Sequence, residues 1–133
     1  YNSHKGQDME VNPKVALNFF WPSLERQVRI QGEVKKLSKE ESDAYFQSRP
    51  YKSQIAAWAS EQSSILKSRS ILEERYLLFS KKYPDHVPRP THWGGFLVKP
   101  HKIEFWQGRS SRLHDRFYFV FSEGKWTAKR LAP

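Results

Sequence analysis

Apolar and polar residues follow two different patterns along the first third of the chain. Residues 15–21 are mostly apolar and aromatic, which predicts a buried strand that ends at Pro22. From Gln27 the apolar residues alternate with polar ones, which predicts a long strand with one wet or ligand-facing side. The apolar face of this second strand carries Val28, Ile30 and Val34.

Helical segments are predicted on both sides of these strands. Residues 3–11 are polar and compatible with a helix, which Asn12-Pro13 stops because a residue before proline disfavours the helical conformation. Residues 38–41 read Ser-Lys-Glu-Glu, a capping box that opens a helix running to about Arg49, where Pro50 ends it. A further short helix is expected over residues 54–60.

A last helix is predicted behind Ser70-Ile71-Leu72-Glu73, which has the form of a second capping box. The apolar residues that follow recur at helical spacing and form one stripe of an amphipathic helix. They are Leu72, Tyr76, Phe79 and Tyr83. A proline-rich segment, residues 84–90, then predicts a rigid loop.

The last third of the chain has the composition of strands. Residues 96–98 and 103–106 are strand-like segments on either side of Pro100. Residues 117–121 and 125–129 flank a short Glu-Gly segment that suits a hairpin turn. Strands, then helices, then strands indicate an α+β domain, and the short connections at the end favour an antiparallel sheet.

The composition fits one soluble globular domain over residues 1–133, with 38% hydrophobic and 28% charged residues. No apolar run approaches the roughly 20 residues of a membrane helix. The absence of cysteine excludes disulfides and thiolate metal sites. A net charge of +9 favours anionic partners, but the basic residues are dispersed, which argues against a nucleic-acid-binding tail. Because the chain opens at Tyr1 without methionine, we expect it to be processed, trimmed or only partly supplied.

The stretch Arg112-Leu113-His114-Asp115-Arg116 is the strongest candidate for chemistry. If it leads into the strand at Phe117, the period of two places Arg112, His114 and Arg116 on one face, with about 6.6–7 Å between neighbours. These three side chains are potentially cationic, so they repel one another unless an anion or an electron-rich ligand lies against them. The pattern therefore predicts a phosphate- or flavin-facing wall, with His114 available for proton transfer. The alternative is a solvated sheet face.

A second candidate cluster surrounds Arg49. Tyr45 and Arg49 are spaced i and i+4 and so share a helix face, and Ser53 follows just past Pro50. A guanidinium, a phenol and a hydroxyl suit the oxygens of a phosphate group. The alternative is ordinary helix-surface chemistry. No metal site is expected, because the five histidines lack paired metal-ligand spacing.

Together these segments resemble the pyridoxamine 5′-phosphate oxidase family. The resemblance runs from about Ser3 to Pro133 and rests on several long motifs in the same order, which makes it highly specific. The matching stretches are Leu24-Glu25-Arg26-Gln27-Val28, Tyr45-Phe46-Gln47-Ser48-Arg49-Pro50, Ser53-Gln54-Ile55, Gln62-Ser63-Ser64, Trp93-Gly94-Gly95, Glu104-Phe105-Trp106-Gln107-Gly108, Arg112-Leu113-His114-Asp115-Arg116 and Arg130-Leu131-Ala132-Pro133. The last of these suggests that Pro133 is the natural C-terminus.

The resemblance implies an FMN-binding split β-barrel, mostly antiparallel with flanking helices, that works as a cytoplasmic homodimer with FMN where two subunits meet. Carried over by position, the residues that contact FMN are Lys5, Gln27, Gln62, Ser63, Trp106 and Arg116. The residues that bind the substrate's phosphate are Tyr45, Arg49 and Ser53. Arg112 and His114 are the implied catalytic residues, lying over the substrate ring beside the flavin.

The implied activity is oxidation of pyridoxamine 5′-phosphate or pyridoxine 5′-phosphate to pyridoxal 5′-phosphate, with O2 as acceptor and H2O2 as product. A non-catalytic module that holds FMN or another phosphorylated ligand is the alternative, and a basic nucleic-acid binder is a distant third.

The sequence departs from the family in two places. His4 occupies a position where the family often has arginine, and nothing corresponds to the family's N-terminal portion. We therefore expect an incomplete barrel with exposed sheet edges.

Overall fold

Four helices and one five-stranded sheet make up the structure, a computed structural model that describes residues 1–133. The helices are α1 (His4–Val11), α2 (Lys39–Ser48), α3 (Tyr51–Ala59) and α4 (Arg69–Lys82). The strands are β1 (Lys14–Trp21), β2 (Arg26–Lys36), β3 (Phe96–Gln107), β4 (Asp115–Ser122) and β5 (Lys125–Arg130). Two single 3-10 turns, Pro22–Leu24 and Ser110–Arg112, precede β2 and β4.

The strands follow one another across the sheet in the order β1-β2-β3-β4-β5. Antiparallel register places Val15 beside Gly32 in the first pair and Trp106 beside Arg116 in the third. Because β1 and β5 each have only one neighbour, the sheet is open. The predicted α+β fold with an antiparallel sheet is confirmed.

The first strand is where the sequence predicts it, but the prediction that it is buried is wrong. Phe19, Phe20 and Trp21 are 44%, 54% and 45% exposed. An apolar run indicates a buried strand only if something covers both its faces, and β1 lies at an edge of the sheet. The alternating strand, in contrast, is confirmed, since Gly32 and Val34 on its apolar face are buried.

The two segments predicted on either side of Pro100 form one continuous strand instead. Proline interrupts a strand when its missing N–H is needed for a ladder hydrogen bond. The pairing of β3 with β4 begins at Lys102, so Pro100 lies outside that ladder. The final hairpin is confirmed, and both of its turn residues, Glu123 at φ 51° and Gly124 at φ 78°, have the left-handed backbone of a tight turn.

The helices begin at local capping signals where these are complete. The Ser3 hydroxyl accepts a hydrogen bond from the Gly6 N–H at the start of α1, and Ser38 and Glu41 form both hydrogen bonds of the predicted capping box at α2. The short helix α3 starts three residues earlier than predicted, at Tyr51 directly after Pro50.

The prediction of a capping box at Ser70 is wrong. Helix α4 starts at Arg69, so Ser70 lies in its first turn, and its hydroxyl shares a 2.7 Å hydrogen bond with the hydroxyl of Ser68. The predicted stripe is correct for Tyr76, Phe79 and Tyr83, which pack against a buried core. The members of that core are Phe46, Ile55 and Val87.

Internal contacts divide the chain into two units. The first comprises residues 1–12 and 36–97 and contains the four helices, and the second comprises residues 13–35 and 98–133 and contains nearly all of the sheet. None of the helices combines the length and the apolar character needed to cross a membrane.

Candidate functional site

In the first unit, Trp93 brings Tyr45 and Arg49 together. The Arg49 guanidinium lies 4.8 Å from the Trp93 ring centroid, and the Tyr45 ring stacks on the same indole at 5.9 Å. Helix α2 ends at Ser48 and Arg49 has extended backbone, so the predicted sharing of a helix face is wrong for this pair. Their proximity comes from Trp93, a residue far away in the sequence.

The indole that supports Arg49 is itself held in place. Arg89 donates hydrogen bonds to the Trp93 carbonyl and to the carboxylate of Asp43. The hydrogen bond from Lys39, followed by that from Arg89, holds the pKa of Asp43 below its ordinary value. Trp93 also packs edge-on against the buried ring of Phe46, 5.1 Å between centroids.

Arg49 carries the clearest chemical signal in this unit, because its Nη1 atom is buried and has no hydrogen-bond partner. A buried charged donor without a partner is costly, and an anion that accepts its hydrogen bond would remove that cost. Guanidinium groups bind phosphate and carboxylate oxygens through charge-assisted hydrogen bonds. The arrangement can therefore bind an anionic group.

A pocket of about 790 Å³ lies next to this arginine. Its lining includes Arg49, Gln62 and Ser63 from the predicted site, together with Trp58 and His92. Gln62 and Ser63 belong to an exposed turn after α3, in which Ser63 has φ 71° and the Ser64 N–H donates to the Glu61 carbonyl. The pocket thus joins the arginine predicted for phosphate to two residues predicted for FMN.

Three other predicted residues of this unit, Lys5, Tyr45 and Ser53, lie apart from that lining. Ser53 lies half-buried in the first turn of α3, and Lys5 lies exposed on α1, where the preceding His4 lines the pocket instead. His92 was missed by the sequence reasoning, although its Nε2 atom is buried without a hydrogen-bond partner beside the pocket. A lone histidine next to a tryptophan gives no sequence signal for that position.

In the second unit, Trp106 and His114 are in contact. The two rings lie 4.8 Å apart at a tilt of 45°. The Nδ1 atom of His114 accepts a 3.1 Å hydrogen bond from the backbone N–H of Arg109, which closes the loop between β3 and β4. Because Nδ1 is the acceptor, a neutral His114 ring carries its proton on Nε2 and presents a donor there.

The wall predicted from the period of two is wrong in its geometry. Strand β4 begins at Asp115, so only Arg116 among the three lies in the strand. Arg112 lies in the 3-10 turn, where it and Ser111 have φ values of 61° and 57°. Two consecutive left-handed residues other than glycine turn the chain sharply, and the alternation of a strand does not extend through them.

Arg116 instead belongs to an ion-paired ladder across three strands. The buried carboxylate of Glu104 on β3 accepts from Arg29 on β2 at 2.6 Å and from Arg116 on β4 at 2.8 Å. The pKa of Glu104 lies below its ordinary value, mainly because of the hydrogen bond from Arg116 and to a smaller extent because of that from Arg29. Burial acts in the opposite direction. Glu104 in turn raises the pKa of Arg116. Sequence reasoning missed Arg29 and Glu104 because their pairing depends on strand order.

The remaining predicted residue, Gln27, lies half-buried on β2 and pairs with Phe20 across the first strand pair. The predicted residues are thus divided between the units. Those in the first are Lys5, Tyr45, Arg49, Ser53, Gln62 and Ser63. Those in the second are Gln27, Trp106, Arg112, His114 and Arg116.

Comparison with known families gives matches to most of the chain. Residues 1–77 match the family described as pyridoxamine 5′-phosphate oxidase. Residues 93–133 match the family described as the pyridoxine 5′-phosphate oxidase C-terminal dimerisation region.

Curated relatives carry the corresponding name. Pyridoxine/pyridoxamine 5′-phosphate oxidase of Actinobacillus pleuropneumoniae (serotype 3, strain JL03) is 57% identical over 133 residues, which are all of this chain and 64% of that protein. The protein of the same name from Chromobacterium violaceum is 58% identical over 134 residues, all of this chain and 63% of that protein. The chain therefore spans somewhat less than two thirds of the length of these relatives.

Two solved structures share the fold. PhzG from Burkholderia lata 383, in complex with tetrahydrophenazine-1-carboxylic acid, superposes with a TM-score of 0.91 at 26% identity, over 99% of this chain and 65% of that one. A pyridoxamine 5′-phosphate oxidase-related, FMN binding protein from Nostoc punctiforme PCC 73102 gives a TM-score of 0.71 at 15% identity, over 99% and 69% of the two chains. The second likeness concerns the fold alone, and both agree with the predicted split-barrel class.

Proposed function

Because the chain belongs to the pyridoxamine 5′-phosphate oxidase family, we propose that the protein is an FMN-dependent oxidase of pyridoxamine 5′-phosphate and pyridoxine 5′-phosphate. The product is pyridoxal 5′-phosphate, with O2 as the acceptor and H2O2 as the second product. The observation that carries the proposal is the buried, unpaired Nη1 atom of Arg49 beside a pocket that Gln62 and Ser63 also line. A phosphate ester supplies the acceptor that this atom lacks.

The residues present fit FMN as the cofactor. The pocket of about 790 Å³ is of the size that small-molecule ligands occupy. The residues that would hold FMN are Lys5, Gln27, Gln62, Ser63, Trp106 and Arg116. When bound, FMN would supply the acceptor for a hydride equivalent from the 4′ carbon of the substrate and the means of passing those electrons to O2, with H2O2 as product.

The protein's own residues bind and orient the substrate. Arg49 anchors the phosphate, assisted by Tyr45 on the same indole and by Ser53, and so fixes the position of the attached ring. Correct placement of a reacting carbon is itself a large part of catalysis. Arg112 and His114 act over the substrate ring, where the Nε2 donor of His114 hydrogen bonds to an electron-rich atom of the substrate. With the amine substrate, oxidation gives an imine, which water hydrolyses to the aldehyde with release of ammonia.

A homodimer with FMN where the subunits meet is part of the proposal, and the match of residues 93–133 to a dimerisation region supports it. A cytoplasmic location, which the family resemblance implies, is likewise part of the proposal.

The test is a visible spectrum of the protein prepared at the length of its relatives, recorded before and after pyridoxine 5′-phosphate is added without oxygen. A yellow protein that bleaches, and recovers its colour in air with release of H2O2, supports the oxidase. A yellow protein that stays yellow supports the alternative, a non-catalytic FMN-binding module. A colourless protein that gains no colour with added FMN would refute both.

The complex of PhzG with a carboxylic acid adds a specific comparison, since it shows that a protein of closely similar fold binds an acid without a phosphate. The same spectrum is therefore repeated with that acid. Bleaching by the carboxylic acid and not by the phosphate ester would reassign the substrate of Arg49 to a carboxylate.

A further inference from the structure

A side-chain amide in the second unit fastens two distant segments of the chain. The Oε1 atom of Gln107 accepts a 2.7 Å hydrogen bond from Nε of Arg26. Its Nε2 atom lies 3.1 Å from the carbonyl oxygen of Leu24, 3.4 Å from that of Glu25 and 3.2 Å from that of Gly108. Sequence reasoning gave Gln107 no role.

The backbone also joins the same two segments. The Gly108 N–H donates a 2.7 Å hydrogen bond to the Glu25 carbonyl. A Cβ atom at position 108 would lie 2.7 Å from the Cβ of Glu25, so only glycine allows this approach. Glu25 itself has the left-handed backbone, with φ 48°. We call this set of contacts the Gln107 latch; its members are Leu24, Glu25, Arg26, Gln107 and Gly108.

The latch lies at the junction of the segments that carry four proposed ligand-binding residues. Gln27 follows Arg26 directly on β2, and Trp106 precedes Gln107 directly on β3. On the other side, Gly108 begins the loop that ends at His114 and contains Arg112. Any shift between the two latched segments therefore moves flavin-contacting and substrate-contacting residues relative to one another.

The chemistry at position 107 requires an amide and not a carboxylate. The guanidinium of Arg26 needs an acceptor, while the cluster of carbonyl oxygens needs a donor, and glutamine provides one of each. Glutamate has nearly the same shape and still accepts from Arg26. It offers no hydrogen to the carbonyl oxygens, and its charge is repelled by them. Gln107→Glu therefore breaks one half of the latch and keeps the other.

We propose that Gln107 is a positioning residue of the oxidase, which fixes the spacing between the Gln27 and Trp106 segments and the loop carrying Arg112 and His114. This inference rests on the proposed function. A displacement of about 1 Å at a reacting centre lowers rates by about a hundredfold, so we expect the latch to act on the chemical step. The phosphate anchor at Arg49 belongs to the other unit, so substrate affinity should change little.

The first experiment measures the latch without any ligand. Hydrogen exchange is followed at the Gly108 amide of the apoprotein, prepared at the length of its relatives, for the unmodified protein and for Gln107→Glu. We expect exchange at Gly108 to accelerate about tenfold or more in the variant, because the hydrogen bond to Glu25 opens more often. The matched control is Thr127→Ala, which removes an exposed side-chain contact on β5 and should leave that amide unchanged.

The second experiment measures the rate of flavin bleaching by pyridoxine 5′-phosphate without oxygen, per molecule of bound FMN. We expect Gln107→Glu to slow this step by about tenfold or more while the substrate dissociation constant stays within about threefold. Faster exchange at Gly108 with an unchanged bleaching rate would leave the latch as a purely structural contact and overturn the positioning role. Unchanged exchange would overturn the latch itself.

Arg26→Ala provides a second variant if Gln107→Glu does not fold. It removes only the bond that orients the amide, from an exposed side chain, and should change both measurements in the same direction by a smaller factor. Bleaching of the unmodified protein tests the proposed function separately from this inference. If pyridoxine 5′-phosphate does not bleach it, the proposed function fails, and the latch is then supported or overturned by exchange at Gly108 alone.

Discussion

The guanidinium of Arg49 lies 4.8 Å above the indole of Trp93, with one nitrogen buried and without a hydrogen-bond partner. The cation–π contact with Trp93, on whose ring Tyr45 also stacks, orients this group while its Nη1 atom stays available for a hydrogen bond. Most buried charged groups in proteins are paired, so this unpaired nitrogen next to a pocket supports the proposal that Arg49 binds an anion.

Arg49→Ala should mainly raise KM for the phosphorylated substrate. The loss of charge-assisted hydrogen bonds to phosphate corresponds to roughly 2–3 kcal/mol, or a KM increase of about 30- to 150-fold, with a much smaller change in kcat. Steady-state kinetics measures both constants. Arg69→Ala, which removes an exposed arginine paired with Glu73 in the same unit, is the matched control and should leave KM unchanged. An unchanged KM in Arg49→Ala would refute the role of Arg49.

His114 should act as a donor through Nε2, because Nδ1 accepts from the Arg109 N–H. His114→Gln places an amide donor near the Nε2 position, whereas His114→Asn places one near Nδ1. We therefore expect turnover per bound flavin to fall in both, about fivefold or more further in the asparagine variant. Nitrogen NMR of the unmodified protein should show the proton on Nε2. The reverse ranking, or a proton on Nδ1, contradicts this assignment, as does flavin loss with normal turnover.

Glu104→Gln should destabilise the protein at neutral pH and much less in acid. The folded-state pKa of Glu104 is lowered, so its ionised form stabilises the fold at every pH above its ordinary pKa of about 4.3, and this contribution disappears as the pH falls through the lower folded value. We expect a loss of about 1–2 kcal/mol at pH 7, kept modest because Arg29 is about half exposed.

Urea unfolding at pH 7 and at pH 3 measures this difference for Glu104→Gln. Glu73→Gln, in an exposed pair on α4, is the control and should change stability little at either pH. An equal loss at both values for Glu104→Gln would show that its charge is not what stabilises the sheet.

Ser38→Ala and Ser70→Ala should differ although both serines occupy capping-box sequences. Ser38 accepts the Glu41 N–H at 3.1 Å and its own N–H donates to the Glu41 carboxylate, so its removal should cost about 1 kcal/mol. Ser70 lies within α4, so its removal should change the free energy of unfolding by less than about 0.5 kcal/mol. Equal effects in urea unfolding would contradict the assigned helix starts.

These serines also show what could be predicted from sequence. The start of α2, the alternation of β2 and the last hairpin depend on neighbours a few residues apart, and the sequence predicts them correctly. The predicted start of α4 is wrong because a capping-box sequence does not determine which of two nearby serines precedes the helix. The exposure of β1 was missed because an apolar run carries no information about the elements that cover it.

The candidate site divides in the same way. The structure brings Tyr45 and Arg49 of the predicted anion cluster together on Trp93, which lies more than forty residues away and has no local signal. The Glu104 ladder and the Gln107 latch depend on which strands are neighbours, so neither could be found before the strand order was known. The roles of the eleven proposed ligand-contacting residues remain predictions from the family resemblance.

The aromatic residues of β1 also affect how this chain behaves in the test tube. An outer strand that presents phenylalanine and tryptophan side chains to solvent promotes edge-to-edge association of separate molecules. The net charge of +9 opposes this association by mutual repulsion, which acts over only about 10 Å in 0.1 M salt. Dilute buffer should therefore keep this polypeptide in solution, and added salt should bring it out as a precipitate.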